Sequence, residues 1–532
     1  MALRPAAGIL PSTGVVLIGT ARSVRSLAAQ VGHLATVGEP VIPVGCVLIN
    51  RLPETVGVSD PGVLPPVLGY VDELIGLQAK WRFSAAVVSL PASMREESRR
   101  IGALLNQLGI AAKFIPTFED LLQGTAGTPT RATAAPLDVS ALIGRTPWGV
   151  DKASVSKIIA GKRVLITGAG GSIGGELARV CAAFKPSCVI LMERSENALF
   201  EIDQQLSRRF PSLPRLAVLH DVVDEASTKR KLMDLKPDVV FHAAAHKHVP
   251  LMEDHPSHAV NNNLFGTKSI ADASLAAGVE RFVMISSDKA VNPTSVMGAT
   301  KRLAEMYIQS LAAERDGNGH SGKTRFSMVR FGNVLASACS VIPIWSQQLA
   351  EGHPLIVTDP RMTRYFMTIP EASTLVVQAA ALDQQPGTAP VYVLDMGEPI
   401  SILEMAVRFL RQQGLGPAID TSTIPPAAIS TDPDRQAVTT QIAALTEDEF
   451  DTVQYTIKFS GARPGEKLYE ELAYSAEMLA PTAHPAIGQW GRDGSPRSAT
   501  ALLADLSALR SPTSDKAKVV DAIRKHVPEM VR

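Results

Sequence analysis

Arg163–Gly174 reads RVLITGAGGSIG. Arg163–Thr167 is a short apolar run of the kind that forms a buried strand. Three glycines follow, Gly168, Gly171 and Gly174, and the pattern then turns helical from Gly175 to Phe184. Each glycine has a separate job in such a turn. Gly168 allows the tight bend, Gly171 lets a pyrophosphate approach the backbone, and Gly174 lets the helix pack close to the sheet. The helix N-terminus at Ser172 and Ile173 favours phosphate charge. A second strand, Cys188–Met192, ends in Glu193, which lies 25 positions beyond Gly168. An acidic side chain there suits the ribose hydroxyls of NAD, whereas the adjoining Arg194 suits the extra phosphate of NADP. The spacing predicts a doubly wound α/β sheet that binds a dinucleotide.

Working outward, Leu216–Leu219 runs into His220-Asp221-Val222, which places Asp221 and Val222 on the adenine side. Asp238–His242 is a further strand, followed by Ala243, Ala244 and Ala245, small enough for a cofactor to lie against the backbone. His242, His246 and His248 bracket Lys247, whose charge repels a cation, so the reading is a cleft wall and no metal. Arg281–Ile285 is the next strand, and its carboxyl end carries Ser286–Lys301, SSDKAVNPTSVMGATK. Ligands bind at that end of an open α/β sheet. Ser287, Asp288 and Lys289 therefore offer a hydroxyl, a carboxylate and an amine, and Met297 and Lys301 share a face of the following helix.

The 532 residues are too many for one ordinary core. Residues 1–123 read as a small Rossmann-like unit, 124–151 as linker and connector, 152–475 as the catalytic domain with a substrate lobe, and 476–532 as a helical extension. In the first unit Val15–Gly19 is a strand, but the turn after it, GTARSVRS, lacks the later glycines, so a structural, oligomeric or regulatory role is expected. Pro417–Thr452 is rich in Pro, Thr and Asp and reads as an insertion or flap. Lys+Arg and Asp+Glu both number 52, which removes any global attraction to nucleic acid. Four cysteines without CxxC spacing fit a reducing compartment, and no window is apolar enough to span a bilayer, so a cytoplasmic protein is expected.

TGAGGSIG, HAAAHKHVPLME, NNNLFGT, ISSDKAVNPTSVMGATKR, RFGNVLAS, TRYFMTIPEA and RPGEKLYEEL occur in that order between Lys162 and Leu472. Together they resemble the extended short-chain dehydrogenase/reductases, and more narrowly the bacterial nucleotide-sugar 4,6-dehydratases of polysaccharide biosynthesis that act on UDP-N-acetylglucosamine. Long members carry transmembrane helices ahead of an extra Rossmann-like domain, and this sequence shows none. The resemblance implies a tightly bound, recycled NAD or NADP, a UDP-sugar substrate and a homo-oligomer. A hydride leaves C4, a base removes the C5 proton while an acid expels the C6 hydroxyl as water, and the hydride returns to C6. On that pattern Lys289 is the base and must be neutral, Asp288 is the acid, Lys301 holds the nicotinamide ribose, and Ser287 is the triad hydroxyl. Met297 stands where the wider superfamily has tyrosine. Either Asp288 or a water on Lys301 then takes the C4 hydroxyl proton, or the site is a catalytically dead scaffold. His246, Lys247, Asn263, Asn333, Arg364, Arg463 and Glu466 are the implied substrate contacts, with the two arginines on the diphosphate. The segment around Cys339 departs from the family, which has glycine there. Retention at C5 is expected, and a UDP-sugar 4-epimerase is the competing enzyme.

Overall fold

The computed structural model describes residues 14–21, 23–25, 27–28, 43–49, 66–91, 94–114, 142–143, 148–317, 324–384, 387–446, 454–473, 479–491 and 499–530. Two parallel sheets organise the chain. The first contains β1 (Val15–Gly19), β2 (Pro43–Leu48), β3 (Val67–Tyr70), β4 (Ala85–Ser89) and β5 (Ala111–Phe114) in the order β3-β2-β1-β4-β5. The second contains β6 (Arg163–Thr167), β7 (Cys188–Glu193), β8 (Arg215–Leu219), β9 (Val239–His242), β10 (Arg281–Ile285) and β11 (Arg325–Arg330) in the order β8-β7-β6-β9-β10-β11. Val391–Leu394 extends it in parallel beside β11. The strand order reverses beside β6 and β9, so a crevice opens at their carboxyl ends.

The second sheet is covered on both faces, which is why its central strands are apolar without alternation. Val164, Leu165 and Ile166 are all fully buried. One face packs on the helices Ser172–Ala183 and Ile369–Ala381 through Leu177, Ala178, Cys181, Leu375 and Val376. The other packs on Gly266–Ala276 and Val296–Gly317 through Ile270, Ala271, Leu303 and Ala304.

A substrate lobe forms a third core around Trp345, Phe409 and Tyr455. In the segment read as an insertion or flap, residues 417–446 form regular elements. Gly416–Ile419 pairs with Gln454–Phe459, which in turn pairs with Leu355–Val357, and Asp432–Thr446 is a helix that buries Val438. Two short pairs, Asn333–Leu335 with Phe366–Thr368 and Thr363–Arg364 with Ile400–Ser401, deliver Asn333 and Arg364 to the crevice.

The helical extension expected from 476 is also corrected. Ile487–Trp490 and Leu479–Pro481 add two antiparallel strands to the second sheet before the helices Ala499–Ser507 and Lys516–His526. Strands of three and four residues are too short for a period-two pattern to reveal them. Of the linker and connector expected at 124–151, residues 124–141 and 144–147 lie outside the described residues. The helix Arg95–Gln107 of the first unit meets the substrate lobe, where Ala103 packs on the Trp345 cluster.

Candidate active site

The cradle after β6 is built from bare backbone. Gly168 sits at φ +63°, and a Cβ there would lie 2.8 Å from the Ala244 amide nitrogen. A Cβ on Gly174 would lie 2.0 Å from the Gly168 carbonyl oxygen. No side chain caps the helix Ser172–Ala183 at Gly171, so its first amides face the crevice. Glu193 ends β7 and accepts hydrogen bonds from the amides of Gly170 (3.1 Å), Arg194 (2.9 Å) and Ser195 (3.1 Å). Its carboxylate therefore braces the glycine turn from the side. Gly168, Gly171, Glu193, Arg194, Asp221, Val222, Ala243, Ala244, Ala245 and His246 surround a pocket of about 180 Å³. The Arg194 guanidinium donates to Asn262 Oδ1 at 3.4 Å.

That pocket adjoins a crevice of about 1050 Å³ that also reaches Ser172, Ile173, Gly174, Lys247, Ser287, Lys289, Met297, Lys301, Asn333, Arg364, Arg463 and Glu466. The sequence spread these residues over some 300 positions, and the fold brings them to one cleft. β10 ends at Ile285, in register with Val329 of β11. The Asp288 amide then donates to the Phe331 carbonyl at 3.1 Å, which turns the chain and buries Asp288 completely. Asp288 Oδ1 accepts from the Ser287 hydroxyl (2.9 Å), the Lys289 amide (2.8 Å) and the Lys289 ammonium (3.0 Å). Asp288 Oδ2 accepts from no described residue.

Lys289 Nζ also donates to Asn333 Oδ1 at 3.1 Å and lies 3.8 Å from Glu470 Oε1. Burial works against its charge, but the Asp288 and Glu470 carboxylates outweigh burial and hold the ammonium above the ordinary lysine range. This corrects the expectation of a resting neutral base. Lys301 is the amine that burial does push down, to about 8, with Glu305 opposing. Its Nζ donates to the Ile285 carbonyl at 2.6 Å, under the β10 end. Met297 is 3% exposed on the same helical face, one turn earlier.

Other expected contacts are spent within the chain. Asn263 is fully buried, accepts from the His246 amide at 2.8 Å and donates to Thr300 at 3.1 Å, so it positions the cleft wall and does not reach a ligand. Arg364 lines the crevice, yet its guanidinium donates to the carbonyls of Thr363, Leu468 and Lys467. Arg463 is exposed and paired with Glu466 at 2.8 Å. Lys247 Nζ donates to the Ala338 carbonyl, and the Ala338 amide donates to Ser172 Oγ, so the segment over the cradle is tied at Ala338 through both of its backbone groups. Cys339 in that segment has φ +56°, the left-handed region where glycine is at ease, and it keeps the turn at a backbone cost.

The sequence reading missed Glu470 and the buried Glu305–Arg330 pair. Glu305 accepts from Arg330 Nε at 2.7 Å and from Ser286 at 2.7 Å, fixing the strand end next to Asp288. All three stood inside quoted stretches or next to them, but a charged residue in a sequence reads as solvated until the fold buries it. His242 is held between Thr167 (2.7 Å) and Thr267 (3.0 Å), and burial pushes it down to about 3. Among the described residues no group of three His, Cys, Asp or Glu is placed to hold a metal. None of the described helices is long and apolar enough to cross a membrane.

A parallel sheet with a bare glycine cradle at its switch point, followed by an acid–amine cluster one strand over, defines a dinucleotide-binding protein of the extended short-chain dehydrogenase/reductase type. The chain belongs to the polysaccharide biosynthesis protein family, whose model matches residues 164–431 and 434–490. It is 40% identical over 428 residues to the probable polysaccharide biosynthesis protein EpsC of Bacillus subtilis, covering 79% of this chain and 63% of that protein. It is 36% identical over 219 residues to an inverting UDP-N-acetylglucosamine 4,6-dehydratase of Campylobacter jejuni, covering 41% of this chain and 63% of that protein. A UDP-glucose 4-epimerase of Rickettsia massiliae is 30% identical over 324 residues, covering 60% of this chain and 79% of that protein.

Proposed function

We propose that this protein is a UDP-N-acetylglucosamine 4,6-dehydratase making a 4-keto-6-deoxy sugar nucleotide for a surface glycan. The observation that carries the reading is the hydrogen-bonded Asp288–Lys289 pair, whose lysine lines the same crevice as Met297. A 4-epimerase and a dehydratase both need the C4 hydroxyl proton removed, which the thioether at 297 cannot do, but an epimerase would leave the Asp288–Lys289 pair unexplained. A dehydratase needs an acid and a base together at C5 and C6, which is what the pair offers.

NAD(P), when bound, takes a hydride from C4, which acidifies the C5 hydrogen, and gives it back at C6. Gly168, Gly171 and Gly174 would hold its pyrophosphate, and Lys301 its nicotinamide ribose. Glu193 favours NAD, because an extra phosphate would meet that carboxylate.

The resting pair is an ammonium beside a carboxylate. One proton moving along the 3.0 Å Lys289–Asp288 hydrogen bond converts it into a neutral amine and a carboxylic acid. Those are the base and acid the elimination requires. The amine then takes the C5 proton, and Asp288 gives its proton to the departing C6 hydroxyl. Lys289 finally returns a proton to C5 from the face it came from, which gives retention, and the pair regains from solvent the one proton that the C4 hydroxyl gave up through a water on Lys301. The Campylobacter relative is named as inverting, so the C5 outcome is a sharp test.

The working form is proposed to be a cytoplasmic homo-oligomer without a nucleic-acid role. Incubation with UDP-N-acetylglucosamine and NAD tests the assignment. Mass spectrometry should show loss of water, and NMR a 4-keto-6-deoxy product with the C5 configuration of the substrate. Interconversion at C4 without water loss means an epimerase, and no turnover in the presence of bound cofactor means a scaffold.

A further inference from the structure

The homo-oligomer proposed above needs a contact surface, whose assignment rests on that part of the reading and not on the reaction. Among the described residues, no strand pairs with the outer edge of the second sheet. β8 is its last strand and pairs with β7 alone, without a register shift. Monomeric proteins blunt such an edge with lysine, proline or a bulge. β8 reads RLAVL and has none of these, and its one charge, Arg215, is paired with Asp203 at 2.8 Å. Leu216 and Leu219 are exposed on opposite faces of the strand. Phe200, on the preceding helix Glu196–Arg209, is 65% exposed, and Met233, on the following helix Glu225–Leu235, is exposed too. Exposed apolar residues gathered in one place mark an association surface.

The backbone of this edge is complementary to itself. The Val189 amide donates to the Pro214 carbonyl at 3.0 Å, and the His220 amide to the Glu193 carbonyl at 2.9 Å. Ladder bonds use every second residue, so 214, 216, 218 and 220 address β7. Arg215, Ala217 and Leu219 therefore turn their amides and carbonyls outward. A two-fold axis at Ala217 sets Ala217 opposite its own copy and Arg215 opposite Leu219 of the second copy. Every outward amide then meets an outward carbonyl, in the paired pattern of an antiparallel ladder.

The side chains obey the same operation. The Asp203–Arg215 ion pair sets the helix over the strand. At about 1.5 Å per helical residue and about 3.3 Å per strand residue, Phe200 stands roughly level with Ala217, and Glu196 roughly level with Leu219. The axis brings Phe200 near its own copy and Glu196 toward Arg215 of the second copy. Charge agrees. The helix leaves the carboxyl end of β7 at Glu196 and reaches the amino end of β8 with Arg208 and Arg209. An antiparallel approach of two copies sets acid against base, which steers association even where each exposed pair is weak.

We propose that a second copy of this chain docks on this edge, β8 against β8 and antiparallel about a two-fold axis at Ala217, with the two Phe200 side chains meeting beside the axis. The pairing joins the sheets of the two copies into one and covers both apolar faces of β8. Glu196, Phe200, Arg215, Ala217 and Leu219 line neither the crevice nor the cofactor pocket, so association can be measured apart from ligand binding.

Sedimentation velocity on the full chain should show a dimer for the wild type. Ala217→Pro removes an outward amide and leaves the bonds to β7 in place, because proline is tolerated on an edge whose N–H faces water. It should give a monomer with the wild-type unfolding midpoint and NAD affinity. Phe200→Asp should weaken the dimer by about tenfold or more, as loss of a central aromatic contact does. Hydrogen exchange in peptides spanning 215–219 should slow as wild-type concentration rises, and should not depend on concentration in Ala217→Pro. If Ala217→Pro fails to fold, Phe200→Asp and the exchange of the wild type decide. A wild type that stays monomeric overturns both the surface and the homo-oligomer. An oligomer that Phe200→Asp leaves intact, or in which 215–219 exchange as in the monomer, overturns the surface and leaves the homo-oligomer standing. The dehydratase reading is untouched by either result.

Discussion

The two parallel sheets differ most where they look most alike, at the turn after the first strand of each. Both have the order 3-2-1-4-5 counted from their own first strand. In the second sheet, the space between the β6 turn and the residue after β9 is bounded by backbone alone, since a Cβ on Gly168 would lie 2.8 Å from the Ala244 nitrogen. In the first sheet a hydroxyl fills the equivalent space. Ser23 Oγ donates to the Ser89 carbonyl at the end of β4 at 2.6 Å, and its amide donates to Thr20 Oγ1 at 3.1 Å. The polar groups a phosphate would meet are already satisfied by the chain. A doubly wound sheet is therefore a scaffold whose first turn can be left open for a ligand or closed by one serine, and fold alone does not say which.

Substitution of the paired glycines should break this comparison most severely if it is wrong. Gly174→Val forces a side chain into the Gly168 carbonyl, 2.0 Å from its Cβ. NAD affinity measured by calorimetry should fall by about 100-fold or more, since overpacking of roughly 3 kcal/mol falls on the cradle itself. Gly19→Val meets the Ser89 carbonyl oxygen at 2.3 Å, so it should destabilise the first unit to a similar degree. NAD affinity should not change, and a loss there would place a nucleotide in the wrong sheet. Next in size, Lys289→Met should lower dehydration by about a thousandfold while NAD still binds, because general acid–base groups carry effects of that order.

How far the sequence reveals each region follows from the length of the signal. The cradle was readable because three glycines, a strand and a helix fall within one continuous stretch, Arg163–Ala183. Asp288, Lys289, Met297 and Lys301 were readable for the same reason, lying within Ser286–Lys301. Glu470 was not, because its importance comes from a contact with Lys289, 181 positions away, across a lobe interface. The charge state of Lys289 was misjudged for the same cause. Burial was foreseen, but the second carboxylate that outweighs it was not. Arg364 and Asn263 show another limit, although Arg364 does line the crevice. Residue type suggested ligand contacts, and the fold spent their donors on carbonyls and a neighbouring hydroxyl.

The acid–amine cluster also makes a prediction about stability. Lys301 is pushed down to about 8 when folded, against about 10.4 for an unfolded lysine. Between those values the unfolded chain binds more protons, so stability should rise with pH through that window. Below pH 8 the buried charge is a fixed penalty. Urea unfolding from pH 7.5 to 10.5 should show wild type gaining on Lys301→Met by about 1–3 kcal/mol across this range. Other groups titrate there in both proteins, so the difference between the two curves is the measurement. A flat difference would mean that Lys301 reaches water and gains its proton alike in the folded and unfolded chain.

The smallest effect tests the closed turn. Ser23→Ala removes the donor to the Ser89 carbonyl and the partner of Thr20 in one step. The carbonyl is buried with Ser89, which is 3% exposed, so the loss should cost about 1–2 kcal/mol in the unfolding of the first unit. The turnover and NAD affinity of the second sheet should stay at wild-type values. The variant also opens, by one hydroxyl, the space that distinguishes the two turns. If an open space were enough, Ser23→Ala would begin to bind a free nucleotide weakly. It should not, because the first turn has Ala21 where the second turn has Gly170, and among the described residues no acidic side chain braces it as Glu193 braces Gly170. Calorimetric titration of NAD into the Ser23→Ala protein should therefore give one binding event per chain, as in wild type, and a second event would show that the serine alone kept the first sheet closed.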